Sequence, residues 1–90
     1  MKCLQPTTQY RKDLKRYRNN PKKLKALAEI LEKLQNEQPI PPEYYPHPLY
    51  GNYEGCMECH IGGDFLLIWI DEERDIIELV RLGSHSELFG

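Results

Sequence analysis

The side chains in this sequence best suited to moving protons near neutral pH are three histidines, because an imidazole ordinarily titrates near pH ~6.5. They are His47, His60 and His85, all in the second half of the 90 residues. Each falls where a predicted element begins or ends: after a proline-rich connector, beside Gly62-Gly63, and just past the last apolar run. A lone histidine is ordinarily structural. Three that a small sheet gathers at one edge form a general acid–base set. Asp64, after the two glycines, can orient an imidazole, and Arg81 offers a planar fork to an anion. If Gly62-Gly63 centre a hairpin turn, His60 and Phe65 become cross-strand neighbours with Asp64 beside them.

A different chemistry is spelled by "GCMECH", residues 55–60. C-x-x-C-H is the attachment pattern of c-type haem, and C-x-x-C followed by a histidine also begins many zinc sites. Both need the cysteines on one side of the chain. Read as a strand, the stretch alternates, with Cys56, Glu58 and His60 on one face and Met57, Cys59 and Ile61 on the other. The two thiols then point apart, and zinc would still need a fourth ligand from Cys3, His47 or His85. Neither haem nor a metal is expected, and Cys59 reads as a small buried hydrophobe.

The elements that must position these residues follow from the hydrophobic period. Met1 to Gln5 is a candidate edge strand stopped by Pro6, with Thr7 or Thr8 as the cap of a helix carrying Tyr10, Leu14 and Tyr17. Asn20-Pro21 caps a second helix, in which Leu24, Leu27, Ala28, Leu31 and Leu34 recur along one face. The pair reads as a helical hairpin. Five prolines between Gln38 and Leu49 exclude helix and central strand there. The period then becomes two, and "CMECHI", "DFLLIWI" and "DIIELVRL" read as antiparallel strands. The middle one is apolar on both faces and belongs at the centre of the sheet. The expected class is α+β: a short N-terminal strand, a helical hairpin, then a twisted antiparallel sheet of three to four strands, all in one domain spanning residues 1–90.

Charge is unevenly spread. Residues 1–33 carry ten Lys/Arg against three acids, a net of +7, and residues 34–90 carry two against eleven, a net of −9. The basic half is either a solvated helical face or a platform for a polyanion such as RNA. The N-terminus has no apolar leader, and the run "FLLIWI" is far too short to span a bilayer, so a cytoplasmic protein with no membrane partner is expected. An odd count of three cysteines argues against a disulfide framework.

Four blocks in this order, "KDLKR", "PPEYYPHPLYG", "ECHIGGDFLLIW" and "LVRLGSHSELFG", resemble the YafQ-type toxins of the RelE/ParE superfamily. The likeness runs almost the whole chain, and "RLGSHSELF" is its most specific part. It implies a RelE/ParE-like fold and a ribosome-dependent mRNA endoribonuclease of a type II toxin–antitoxin module. In that chemistry the ribose 2′-hydroxyl attacks its own 3′ phosphodiester, leaving a 2′,3′-cyclic phosphate and a 5′-hydroxyl, without metal or cofactor. The implied partners are a cognate antitoxin, mRNA in the ribosomal A site and ribosomal RNA, with operator DNA reached only through the antitoxin.

Carried over position by position, the resemblance implies a catalytic set of His47, His60, Asp64, Arg81 and His85. His85 is expected as the acid, His60 or His47 as the base, and Arg81 on the scissile phosphate. Phe65 and Phe89 are expected to stack on bases, and Arg11, Lys12, Lys15 and Arg16 to meet RNA. Two positions depart from the pattern: Met57 stands where relatives often carry arginine, and Phe65 where a tryptophan is common. The alternative within this fold is a non-catalytic interaction protein, either a ParE-like gyrase inhibitor or a degenerate toxin acting only as an antitoxin-bound repressor.

Overall fold

The computed structural model describes residues 1–72 and 74–90. In chain order the elements are β1 (Cys3–Pro6), α1 (Thr8–Lys15), α2 (Pro21–Gln35), β2 (His47–Pro48), β3 (Met57–Gly62), β4 (Phe65–Asp71), β5 (Ile76–Gly83) and α3 (His85–Phe89). Short 3-10 turns occupy Pro42–Tyr44 and Gly51–Tyr53. The strands form one sheet in the order β1-β5-β4-β3-β2.

The class is the expected α+β, but the sheet is larger and mixed. β1 pairs with β5 in parallel, which the sequence pattern did not specify, and β2 adds a fifth strand at the other edge. β2 is only two residues long and ends in proline, which suits an edge because proline cannot donate to a ladder.

Both caps are where the sequence places them. Thr7 Oγ1 accepts from the Tyr10 N–H at 2.9 Å, and Asn20 Oδ1 accepts from the Lys23 N–H at 3.2 Å. Thr7 also donates to the Val80 carbonyl, so the cap fastens α1 to β5. That carbonyl is available because the β4–β5 register shifts between Ile68 and Trp69, leaving Val80 as the extra residue. The two helices pack chiefly on the sheet, α1 on β5 and α2 on β3, more than on each other.

Two apolar layers result. Leu27, Ile30 and Leu34 of α2 meet Cys59, Phe65 and Leu67 on one face. Cys56, Leu66, Ile68 and Leu88 form the smaller layer on the other. β4 is thus buried on both sides, as its apolar sequence requires.

The β3–β4 turn differs by one residue from expectation. Gly62 pairs with Phe65 and His60 with Leu66, so the turn is centred on Gly63-Asp64. Gly63 takes φ +54°, the left-handed conformation such tight turns demand. A register shift between His60 and Gly62 absorbs the offset and keeps His60 on its face. The C-terminal segment is a one-turn helix with a full capping box. Ser84 Oγ accepts from the Glu87 N–H, and Glu87 Oε1 accepts from the Ser84 N–H. Among the described residues no helix is long and apolar enough to cross a membrane.

Candidate active site

The β2–β3 ladder sets His47 opposite Glu58, and His60 lies two residues further along β3 on the same face. Both imidazoles aim Nε2 at one carboxylate oxygen, Glu58 Oε1, from His47 at 3.2 Å and from His60 at 3.6 Å. Glu58 is only 2% exposed, and its Oε2 has no hydrogen-bond partner.

His47 Nδ1 lies 2.8 Å from the Tyr45 carbonyl, an acceptor only, so Nδ1 carries the hydrogen. Tyr45 covers the pair, with its ring 4.6 Å from His47 and 5.8 Å from His60. It is 63% exposed and holds φ +48°, which costs a tyrosine on the order of 1 kcal/mol. Glu58, Tyr45 and Asp13 were not among the sequence candidates. Glu58 was legible, since strand alternation already puts it beside His60.

His85 is not part of that cluster. His60 pairs with Leu66 and Leu66 with Gly83, so two strand spacings of ~4.8 Å separate His60 from Gly83, roughly 10 Å, and His85 begins α3 just beyond. The three histidines are a pair and a singleton on opposite sides of β4, not a group at one edge. Asp64 orients His85 through the main chain: its Oδ1 accepts from the His85 N–H at 2.8 Å. The His85 ring lies 5.1 Å from Phe89, which meets Tyr53 edge to face at 5.5 Å.

Arg81 is committed more than expected. Its Nε and one terminal nitrogen hold both oxygens of Asp13, at 2.8 and 3.2 Å, and its other terminal nitrogen reaches the Tyr53 hydroxyl at 3.3 Å. The bidentate fork expected for phosphate is filled by a buried aspartate. Two of its five N–H donors remain. Asp13 also accepts from the Leu82 N–H and from Gln9. Burial pushes the Asp13 carboxyl up, but the bonds from Arg81, Leu82 and Gln9 outweigh it and hold the pKa below the ordinary value.

Phe65 is the clear correction. It is 1% exposed and packs in the helix-side layer with its ring 4.7 Å from Tyr17, so it cannot stack on a base at the histidine face. Its odd-numbered neighbours on β4 point the same way, whereas Leu66 and Ile68 face the histidines. Met57 also packs on the helix side, so the missing arginine is not missing from this cleft. Arg11, Lys12 and Lys15 are exposed and make no ion pair among the described residues. Arg16 is engaged, 3.3 Å from Glu87 and 3.7 Å from Asp13.

The cysteines of the C-x-x-C-H pattern lie in different layers, Cys59 with α2 and Cys56 with Leu88. Burial drives the Cys59 thiol up to about 12 and raises Cys56, so neither is a ready thiolate. The donors that do converge are His47 Nε2, Glu58 Oε1 and His60 Nε2, within 4.8 Å of one another. Two imidazoles and a carboxylate fit a divalent transition metal.

Both the sequence and the fold match known toxins. The family model described as "Bacterial toxin of type II toxin-antitoxin system, YafQ" matches residues 2–90. The mRNA interferase toxin YafQ of Escherichia coli K12 is 35% identical over 85 residues, covering 91% of this chain and 89% of its own. A metal-bound toxin from Helicobacter pylori superposes with a TM-score of 0.87 at 40% identity, over 99% of this chain and all of the other. The toxin of the E. coli DinJ-YafQ toxin-antitoxin complex gives 0.86 at 30% identity, over 99% and 98%. With the family matched from end to end and the fold shared, this chain belongs to the YafQ family of bacterial type II toxin–antitoxin toxins.

Proposed function

We propose that this protein, acting as one cytoplasmic domain, is a ribosome-dependent mRNA endoribonuclease kept in check by a cognate antitoxin. The convergence of His47 and His60 on buried Glu58, with His85 on the other side of β4, carries this reading. The name of the E. coli relative supports the reaction, and its complex with DinJ supports the partner.

The His47–His60 pair is the base for the 2′-hydroxyl. With the Nδ1 hydrogen of His47 held by the Tyr45 carbonyl, proton exchange at His47 falls to Nε2. Glu58 keeps that nitrogen aimed. His85 is the acid for the departing 5′-oxygen, set in place by Asp64. Because Asp13 neutralises much of Arg81, positive charge on the phosphorane comes from imidazolium together with the two spare Arg81 donors. Phe89 stacks on a base, and Arg11, Lys12 and Lys15 meet ribosomal RNA. A metal held by His47, Glu58 and His60 would supply Lewis acidity there, but it would occupy the nitrogens that the proton transfer needs. No step above runs through it.

The test is cleavage of ribosome-bound mRNA by His60→Ala and His85→Ala proteins of unchanged melting temperature. Each is expected to lose about 10²–10⁴ in rate. Wild-type rates in both would overturn the reading, and growth arrest with intact mRNA would favour the non-catalytic alternative.

A further inference from the structure

We propose that the opening between the Gly51–Tyr53 turn and α3 is a nucleobase subsite that reads the RNA base on the His85 side of the cleaved bond. The proposal rests on the endoribonuclease reading and adds Tyr50, Asn52 and Tyr53 to it. The opening encloses about 390 Å³ and is lined by Tyr50, Asn52, Tyr53, Leu88 and Phe89. That is the small end of the range for ligand clefts, about 300–1,000 Å³, and suits one nucleoside.

Two aromatic rings of its lining are open to water. Tyr50 is 79% exposed and Phe89 42%, although large apolar side chains elsewhere in the described chain are mostly buried. The floor is fixed: the Tyr53 hydroxyl accepts from Arg81 and donates to the Leu88 carbonyl at 3.2 Å, and its ring meets Phe89. Gly51, at φ +69°, makes the turn that leaves Asn52 at the mouth. The exposed carboxamide of Asn52 has no hydrogen bond among the described residues, so its donor and acceptor are both available. Aromatic faces beside a free amide are what a splayed single-stranded base needs, the faces for stacking and the amide for its edge.

The opening is also continuous with the chemistry. Phe89 lines the opening and its ring lies 5.1 Å from that of His85, so a base stacked there holds the adjoining bond close to the proposed acid.

Two measurements test the proposal. In the first, each of the four nucleoside 5′-monophosphates is titrated into ¹⁵N-labelled wild-type protein, and shifts are expected at Tyr50, Asn52, Tyr53 and Phe89. In the second, cleavage is profiled on ribosomes carrying a set of A-site codons. Asn52→Ala is expected to flatten the base preference at one codon position by roughly 5- to 150-fold. Tyr50→Ala is expected to slow cleavage by a similar factor whatever the base. Both side chains are exposed, and thermal melting confirms that the variants fold. Unchanged rates and preferences in both variants overturn the proposal. So does a loss of antitoxin affinity with cleavage intact, which gives the opening to a protein segment. If the wild type cleaves no RNA, the endoribonuclease reading fails by itself, and the titration still decides the subsite: absence of shifts overturns it.

Discussion

Two acidic side chains are fully buried among the described residues, and they could hardly be treated more differently. Asp13 accepts from Arg81 twice, from Leu82 and from Gln9, so both oxygens are satisfied. Glu58 offers one oxygen to two histidines and leaves the other with nothing. Satisfied burial makes a structural pin, here one that ties α1 to the end of β5. Unsatisfied burial costs stability, of the order of 1–3 kcal/mol for an orphaned group. A fold keeps such a group where its unspent hydrogen-bonding capacity is used. The contrast separates a buried carboxylate that holds shape from one that, in the proposed mechanism, serves the proton-moving histidine pair.

The largest effect that would break this division is on cleavage. His60→Ala, on the Glu58 side, should lower mRNA cleavage by about 10²–10⁴ while leaving the denaturant midpoint almost unchanged. On the other side, Asp13→Ala should destabilise by about 3–5 kcal/mol in urea unfolding, because it strands a partly buried arginine. The same pin sets a pH dependence. The folded Asp13 carboxyl sits below its ordinary value of 3.8, so its contribution is present above that pH and is lost as pH falls through the folded value. Acid unfolding of Asp13→Asn should lack this component, measured by circular dichroism between pH 5 and 2. The smallest effect belongs to the basic face. Replacing Lys12 or Lys15 by alanine should reduce the slope of log affinity for ribosomes against log salt by about 0.7–0.9 each.

Much of this was written in the sequence, and the omissions share a cause. Caps at Thr7 and Asn20, the central β4 and the separation of Cys56 from Cys59 follow from local spacing, which the sequence displays directly. The S-x-x-E capping box of α3 is equally local. Asp13 was hidden in the basic run "RKDLKR", and nothing near it in sequence announces a partner 68 residues away. The same holds for the parallel pairing of β1 with β5 and for the two-residue β2. Phe65 was assigned to the wrong face by its place in a motif, although its position along β4 settles which layer it enters. His85 was grouped with the other histidines because loop ends are interchangeable until the strand order is known.

The central claim is that Glu58 is buried for chemistry and not for stability. It is tested by measuring urea unfolding and ribosome-bound mRNA cleavage on one preparation of Glu58→Leu beside the wild type. The account predicts stability equal to the wild type or higher by about 1–4 kcal/mol, as when buried charge gives way to an apolar side chain, with cleavage down roughly 10²-fold. A protein destabilised by 3 kcal/mol or more that still cleaves at the wild-type rate would contradict it.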